Sequence, residues 1–314
     1  MELLQLSYSQ LGRFPQLDEL SVAVGYFDGV HKGHQEVIQT AVEEAEKQNI
    51  KSGVMTFAPH PLSVIKQQKL SDYLITSLEE KLEIFEELDV DYVIVVTFDQ
   101  DLAKLSPQTF VDEFFINLNV KHVVGGFDFS FGHKGAGKIQ DMRHYSKGAF
   151  SFSVVDQVSI GNEKISSTLI RQSLSKGEVS YVENLMGRPF SITAKVKEGF
   201  KRGREIGFPT ANLNVDSEHK IPKVGIYAVT AEINGEHLYG MASVGFNPTF
   251  DDSHHEPVIE VNLFDFNQDI YGEDIKVNFH QYIRDEVKFD NVDELVEKIK
   301  EDEKKVKKFF NISR

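Results

Sequence analysis

The sequence predicts two domains, an α/β domain with a parallel sheet and, after it, a small antiparallel β-barrel with a terminal helix. Three observations support this prediction. The chain has 314 residues, which exceeds the usual length of a domain built around a single hydrophobic core. Strand and helix patterns alternate in the first half, whereas beyond about residue 189 strands follow one another without intervening helices.

The first half alternates short apolar runs with amphipathic segments. Strands are predicted at 21–26, 53–57, 92–98 and 122–125. Helices are predicted from about Gly33, after Ser77, where Glu80 completes a capping box, and after Ser106, which Pro107 follows as the first helical residue. The run 92–98 is almost continuously apolar and β-branched, which is typical of a strand covered on both faces. A parallel sheet with helices on both sides follows from this.

The second half contains five predicted strands, at 192–196, 225–233, 236–244, 258–264 and 275–283. Asn234-Gly235 favours a type I′ hairpin turn between two of them. Successive antiparallel strands favour a barrel, because closure removes exposed edges. The terminal helix is predicted to begin after Asn291, with Glu294 completing the cap, and its buried stripe to contain Val292, Leu295, Val296 and Ile299.

Composition excludes several classes of protein and site. The chain has no cysteine, which excludes disulfides, a thiol nucleophile and cysteine zinc sites. Its net charge of −15 repels a nucleic-acid backbone, so no nucleic-acid partner is expected. No apolar run is long enough to span a membrane and the N-terminus does not resemble a signal peptide, so we expect a cytoplasmic protein without a membrane partner. Nothing in the sequence sets an oligomeric state.

A histidine motif, GYFDGVHKGH, spans Gly25 to His34 directly after the first predicted strand of the sheet. Free N–H groups and the positive dipole end of a helix start suit phosphate, and Gly33 lets the backbone approach it. His31 and His34 can donate hydrogen bonds to charge that develops on an α-phosphate under attack. The alternative is two surface histidines in a glycine-rich turn. The matching strand, turn and helix favour a site.

Other segments of the first half are compatible with a nucleotide site. ISSTLIR places Ser167 and Thr168 at a predicted helix start and Arg171 one turn later, a set that could hold a triphosphate. Taken by itself, the segment is better explained by an ordinary N-cap followed by a surface arginine. FAPHP (57–61) and GGFDFSFG (125–132) follow strands, at the carboxyl ends where α/β sheets bind ligands. Asp128 and Phe129 could hold a flat heterocycle, although core packing also explains the phenylalanines.

A basic loop in the second half leads into GFPTAN. The glycine-punctuated segment contains Gly199, Arg202, Gly203 and Arg204, and its N–H groups and two arginines suit phosphate. The Thr210 hydroxyl and the Asn212 carbonyl suit a hard cation such as Mg²⁺, which takes few protein ligands. A basic loop with a Pro-Thr turn would explain GFPTAN alone but not the whole segment.

Glu260 interrupts the apolar strand VIEVNL. A carboxylate there is costly to bury without a task or partner. Pointing inward, it would be placed as general base for a substrate hydroxyl; pointing outward, it would be a surface glutamate.

The motifs of the first half, in their order, resemble the FMN adenylyltransferase domain of bacterial bifunctional riboflavin kinase/FAD synthetases over most of residues 1–185. The resemblance implies a Rossmann-like nucleotidylyltransferase fold, with Asp128 and Phe129 near the flavin. It implies that the ATP site consists of Gly25, Phe27, Asp28, His31, Gly33, His34, Ser167, Thr168 and Arg171.

Residues 186–314 resemble the riboflavin kinase domain of the same family, through GFPTAN, the strand glutamate and NPTF at 247–250. This resemblance implies a six-stranded antiparallel barrel with a terminal helix, Mg²⁺-ATP held by Thr210 and Asn212, and Glu260 activating the ribityl 5′-hydroxyl. Lys201 stands where the family often has glycine, so its phosphate loop differs here.

The reactions implied are phosphorylation of riboflavin by ATP to FMN and ADP, then adenylyl transfer from ATP to FMN, giving FAD and pyrophosphate. Three alternatives remain: one live activity only, another nucleotidylyltransferase, or a non-catalytic flavin-binding regulator.

Overall fold

The computed structural model describes residues 1–10, 17–198, 203, 206–246 and 257–312. Gly199, Lys201, Arg202, Arg204 and the NPTF segment at 247–250 lie outside the described residues. The chain divides into two compact units: unit 1 comprises Met1–Leu70 and Thr76–Ser167, and unit 2 comprises Ser71–Ile75 and Thr168–Arg314. A functional boundary at residue 185 stays a prediction.

The described strands, in chain order, are β1 Glu2–Leu6, β2 Leu20–Val24, β3 Lys51–Ala58, β4 Tyr92–Thr97, β5 Val120–Gly126, β6 Ser130–Phe131, β7 Gly137–Lys138, β8 Ser151–Val155, β9 Ser159–Ile160, β10 Glu163–Lys164, β11 Phe190–Lys197, β12 Ala211–Asn214, β13 Gly225–Ile233, β14 Glu236–Phe246, β15 Pro257–Leu263 and β16 Asp274–Arg284. The described α-helices are α1 Lys32–Gln48, α2 Pro61–Lys66, α3 Leu78–Glu87, α4 Pro107–Val111, α5 Met142–Ser146, α6 Ser167–Lys176, α7 Val179–Met186 and α8 Val292–Phe309. Single 3₁₀ turns occur at Tyr8–Gln10, Leu102–Lys104, His133–Gly135 and Ile139–Asp141, and a π-helical turn extends α4 over Asp112–Ile116.

Unit 1 is built on a six-stranded sheet in the order β1-β4-β3-β2-β5-β8, with every neighbouring pair parallel. Val22 and Val24 of β2 belong to one apolar cluster and Ala23 to another, so the sheet is covered on both faces. The predicted α/β architecture is confirmed, and so is the capping box of Ser77 and Glu80. The edge strand β1 was not predicted, because its five residues show no clear two-residue period.

The order of the strands places the first motifs outside the carboxyl ends of two neighbouring inner strands, β2 and β5. From β2 the chain proceeds to β3 and β4 on one side, and it then crosses to β5 and β8 on the other. Ligands of such sheets bind outside the carboxyl ends of the strands, at the point where the order reverses. GYFDGVHKGH follows β2, and GGFDFSFG includes the end of the neighbouring β5. Topology therefore brings the two motifs to one crevice.

Unit 2 contains a closed barrel with the strand order β11-β12-β15-β14-β13-β16. The five strands predicted from sequence are confirmed. The sixth, β12, was missed from the pattern because it has only four residues, and the first two, Ala211 and Asn212, belong to the GFPTAN motif that we interpreted as a metal-binding segment. Asn234 and Gly235 have φ of 49° and 80°, as a type I′ turn requires.

Helix α8 corrects one prediction. Asn291 caps it as expected, its side chain accepting a hydrogen bond from the Glu294 N–H. Val292, however, is 57% exposed, Leu295, Val296 and Ile299 are half-buried, and the fully buried positions are Asp302 and Val306. The buried stripe lies towards the C-terminal end of the helix because α8 meets the barrel there, where Arg284 of β16 contacts Asp302.

The Arg284–Asp302 pair predicts a large loss of stability when it is broken. Asp302 is 1% exposed, and its Oδ2 accepts hydrogen bonds from Arg284 Nε at 2.8 Å and Nη2 at 2.7 Å. Asp302→Ala leaves a guanidinium without its carboxylate, so we expect a loss of about 3–5 kcal/mol in urea unfolding. The exposed partner of Lys298, Glu301, is the matched control on the same helix, and Glu301→Ala should have a far smaller effect. Equal effects of the two variants would contradict this reading.

His122 predicts a pH dependence of stability. It is 5% exposed in β5, with Ser151 Oγ at 2.7 Å from Nδ1 and Ser153 Oγ at 2.9 Å from Nε2. Burial lowers the pKa of His122 below its ordinary value, while Glu44 opposes the shift. The unfolded chain therefore binds the proton first, and the free energy of unfolding should fall as pH drops below about 6.5, by at most about 1.4 kcal/mol per pH unit. Urea unfolding at pH 7.5 and 5.5 should show a smaller fall for His122→Gln; an unchanged fall would exclude His122 as its source.

Candidate active sites

His31 and His34 form a compact pair at the start of α1. His31 is 6% exposed, and its Nδ1 accepts a hydrogen bond from the His34 N–H at 3.2 Å, which places the proton of the neutral ring on Nε2. The two rings stack with centroids 3.6 Å apart. A Cβ on Gly33 would lie 3.2 Å from the His31 ring, so glycine suits this close approach. A donor ring therefore lies at the N-terminus of a 17-residue helix, where the dipole favours an anion.

Asp28 anchors the turn that precedes these histidines. It is 3% exposed, and its Oδ1 accepts a hydrogen bond from the Thr76 N–H at 3.2 Å. The Gly29 N–H donates to Thr76 Oγ1 at 3.0 Å, and Ser167 Oγ donates to the Asp28 carbonyl at 2.8 Å. Ser167 is the first residue of α6, as predicted. Thr76 was missed, since it is 47 residues from Gly29 and belongs to no motif.

Two other members of the predicted ATP site belong to unit 2. Thr168 is exposed, and Arg171 is half-buried. Arg171 Nε donates to the Tyr73 carbonyl at 2.8 Å, and its guanidinium lies 3.8 Å from the centre of the Tyr73 ring. Within the same unit, Lys220 Nζ lies 2.6 Å from Asp72 Oδ2. Arg171 is therefore held in a defined position, and the sequence had offered no sign of Tyr73.

The predicted flavin contacts have other partners in the structure. The Asp128 side chain is 63% exposed and forms an ion pair with Lys164 at 2.7 Å. Phe129 packs against the core of unit 1 and stacks with Phe131, the centroids 5.9 Å apart. Phe57 is 8% exposed in the same core. Core packing, the alternative given for these phenylalanines, therefore accounts for Phe57, which is buried, and for the buried part of the Phe129 ring.

Glu260 fits neither of the two alternatives that the sequence left open. Its neighbours Ile259 and Val261 are buried in the barrel interior, so strand alternation turns Glu260 to the outer face. It is nevertheless half-buried, and its Oε2 accepts a hydrogen bond from Thr210 Oγ1 at 3.2 Å. The inward orientation is therefore not observed, and the role of Glu260 as a general base stays a prediction. The carboxylate lies beside the PTAN segment on the outside of the barrel.

Register places further polar side chains on the same face. Asn212 of β12 and Ser243 of β14 lie directly opposite Glu260 on its two neighbouring strands. Side chains of paired residues share a face, so Ser243, Glu260 and Asn212 form a row that includes the partner of Thr210. Ser243 was missed, because only the register of β14 against β15 identifies it.

Hydrogen bonds hold the chain around Thr210 against the barrel. Asn262 Nδ2 donates to the Pro209 carbonyl at 2.7 Å, and the Phe208 N–H donates to the Gly203 carbonyl at 2.8 Å. A Cβ on Gly203 would collide with the Phe208 carbonyl oxygen, so this position needs glycine. A cavity of about 430 Å³ adjoins Thr210, lined by Val196, Ala211, Val261, Leu263 and the loop 266–271. That volume is within the range of small-molecule sites.

The donor set of this face fits Mg²⁺. A threonine hydroxyl, an asparagine carbonyl and a carboxylate are hard oxygen ligands, and Mg²⁺ typically takes one or two protein ligands and fills the remainder with phosphate and water. Within the described part of the chain, no group of three or more His, Asp or Glu residues is placed to hold a metal ion. The arrangement suits a cation that arrives with a nucleotide better than one bound in a carboxylate cage.

Comparison with known proteins identifies two family domains in this chain. The FAD synthetase family profile matches residues 14–169, and the riboflavin kinase profile matches residues 186–310. Bifunctional riboflavin kinase/FMN adenylyltransferases from Listeria monocytogenes and Bacillus subtilis are 43% and 44% identical, each over 92% of both chains. A crystal structure described as a macrolide-efflux protein from Streptococcus pneumoniae matches with a TM-score of 0.84 and 36% identity, covering 96% of this chain and 98% of that one. The efflux description applies to that protein; here, none of the described helices is long and apolar enough to cross a membrane.

Proposed function

Because this chain belongs to the bifunctional riboflavin kinase/FMN adenylyltransferase family, we propose that two distinct sets of residues carry out its two reactions. The chain is a riboflavin kinase and an FMN adenylyltransferase. The proposal assigns adenylyl transfer to residues 1–185 and phosphorylation to residues 186–314. The observation that carries it is the presence of two separate polar arrangements, the Thr210–Glu260 contact in the barrel of unit 2 and the His31–His34 pair in unit 1.

In the kinase reaction, Glu260 acts as general base. Its carboxylate accepts the proton of the ribityl 5′-hydroxyl while that oxygen attacks the γ-phosphorus of ATP, and ADP leaves. Thr210 and Asn212 would hold Mg²⁺, which offsets phosphate charge when bound. Gly203 shapes the chain beside Thr210, and Gly199, Arg202 and Arg204 are assigned to the phosphates by their position in the motif. The cavity beside Thr210 has room for one ring system of the substrates.

In the adenylyl transfer, a phosphate oxygen of FMN attacks the α-phosphorus of ATP and pyrophosphate leaves. His31 Nε2–H and His34 stabilise the charge that develops on the α-phosphate, together with the N-terminus of α1. Gly25, Phe27, Asp28, Gly33 and Ser167 shape or anchor the turn that places them. The assignments of Thr168 and Arg171 to the triphosphate, and of Asp128 and Phe129 to the flavin, stay predictions. The location of this protein in the cytoplasm, where ATP is available, also stays a prediction.

A time course with riboflavin, ATP and Mg²⁺, its flavins resolved by chromatography, tests the proposal. We expect FMN to appear first and FAD to follow, with ADP and pyrophosphate as the other products. Omission of Mg²⁺ should stop phosphorylation. FMN without FAD, also when reduced flavin is supplied, would contradict the adenylyltransferase assignment, and no product at all would contradict both.

A further inference from the structure

Unit 1 contains a buried lysine, Lys81, that the proposed mechanism does not use. Lys81 of α3 is 2% exposed, and its Nζ donates to the Tyr26 carbonyl at 2.9 Å. The same ammonium lies 3.7 Å from the centre of the Tyr26 ring. A buried charge is costly, so an apolar residue would fill this place more stably unless the charge has a task.

Burial and a nearby carboxylate shift the pKa of Lys81 in opposite directions. Burial lowers the pKa of Lys81 to about 8, and the carboxylate of Asp28 opposes that shift. At pH 7 most of the molecules therefore carry an ammonium at this position. Tyr26 also contacts the His60 ring, at 4.1 Å between centroids, and the Thr56 hydroxyl, at 3.0 Å from its carbonyl.

The residue that Lys81 holds begins a strained turn. Tyr26 precedes Phe27, with φ of 57°, and three residues later Val30 has φ of 35°. Non-glycine residues seldom adopt positive φ, and such strain persists only where the surroundings over-determine it. The turn leads directly into His31, the cap of α1. Lys81 and Thr56 both donate to the carbonyl of Tyr26, so the peptide at the start of the turn is held by two hydrogen bonds.

We propose that Lys81 is a positioning residue for adenylyl transfer, whose ammonium holds the carbonyl and ring of Tyr26 and thereby sets the turn that presents His31 and His34 to the ATP phosphates. The inference rests on the proposed function of these histidines. The contacts of Lys81 with Tyr26 give it a role through the turn, as a positioning residue and not a catalytic one. The charge also contributes a local positive potential to a chain with a net charge of −15, which favours an anionic nucleotide.

Two variants of Lys81 separate charge from packing. Lys81→Met keeps an unbranched apolar side chain of similar length, and Lys81→Arg keeps the charge. The matched control is Lys47→Met on α1, where the lysine side chain is 63% exposed. For each variant, kcat and the KM for ATP are measured with FMN and ATP, riboflavin phosphorylation is measured on the same preparation, and thermal unfolding is recorded.

We expect Lys81→Met to lower kcat of adenylyl transfer about 10- to 100-fold with little change in the KM for ATP, because a displaced turn weakens contacts made in the transition state. Lys81→Arg should restore most of that kcat, and phosphorylation should stay at the wild-type rate. A wild-type kcat of adenylyl transfer in Lys81→Met overturns the inference. So does a fall in kcat that disappears when the assay temperature is lowered in proportion to the lower melting temperature, because unfolding then explains the loss. His31→Asn is measured in the same series. If His31→Asn keeps full adenylyl transfer, the proposed site is wrong. If His31→Asn loses adenylyl transfer and Lys81→Met keeps it, only the inference about Lys81 fails.

Discussion

Glu260→Gln is expected to lower kcat for riboflavin phosphorylation by about 10²–10⁴-fold, while adenylyl transfer from FMN continues. The amide preserves the size of the side chain and can still accept the hydrogen bond of Thr210, but it cannot take the proton of the 5′-hydroxyl. The measurement is FMN formed from riboflavin, compared with FAD formed from FMN on the same preparation.

A control for this variant is Glu273→Gln, an exposed position just before β16. It should leave both activities at wild-type rates. If Glu260→Gln phosphorylates riboflavin normally, Glu260 is not the base, and the row of Ser243, Glu260 and Asn212 has only a binding role.

His31→Asn is expected to show the opposite selectivity, with adenylyl transfer lowered about 10²–10³-fold and phosphorylation spared. Asparagine is a good N-cap, so this variant removes the imidazole donor but keeps the start of α1. His31→Ala removes both and should cost about 1 kcal/mol more in stability. FAD formation from FMN and ATP is the readout, with thermal unfolding as the measure of stability.

The comparison of the two His31 variants separates catalysis from capping. If His31→Asn retains the activity that His31→Ala loses, the residue acts only as a cap. If the Glu260 and His31 variants each abolish both reactions, two distinct sets of residues are the wrong description of this enzyme.

Much of the fold could be predicted because its signals lie within a few residues of one another. Ser77 and Glu80 mark a helix start through contacts three residues apart, and Asn234-Gly235 marks a hairpin by its backbone preferences alone. The histidine motif was recognisable for the same reason, since a strand, a turn and a helix start follow each other directly. Short β12, edge strand β1 and the exposed Val292 were missed or misassigned, because the local pattern there does not report which surface the rest of the chain covers.

The sites depended on contacts that no local pattern contains. Thr76 contacts Gly29 across 47 residues, Lys81 contacts Tyr26 across 55, and Thr210 contacts Glu260 across 50. Which face Glu260 occupies depends on the barrel interior being filled by Ile259 and Val261.

Periodicity, caps, turns and motifs are properties of neighbouring residues, so the two-part architecture, the family resemblance and the candidate residues of both sites could be predicted from the sequence alone. The tertiary contacts alone place Glu260 on the outer face of the barrel, Phe57 in the core, and Thr76 and Lys81 against the chain that precedes His31. The physical reason is that strand order and register place side chains from distant segments within hydrogen-bond reach, and neither can be obtained from a window of the chain.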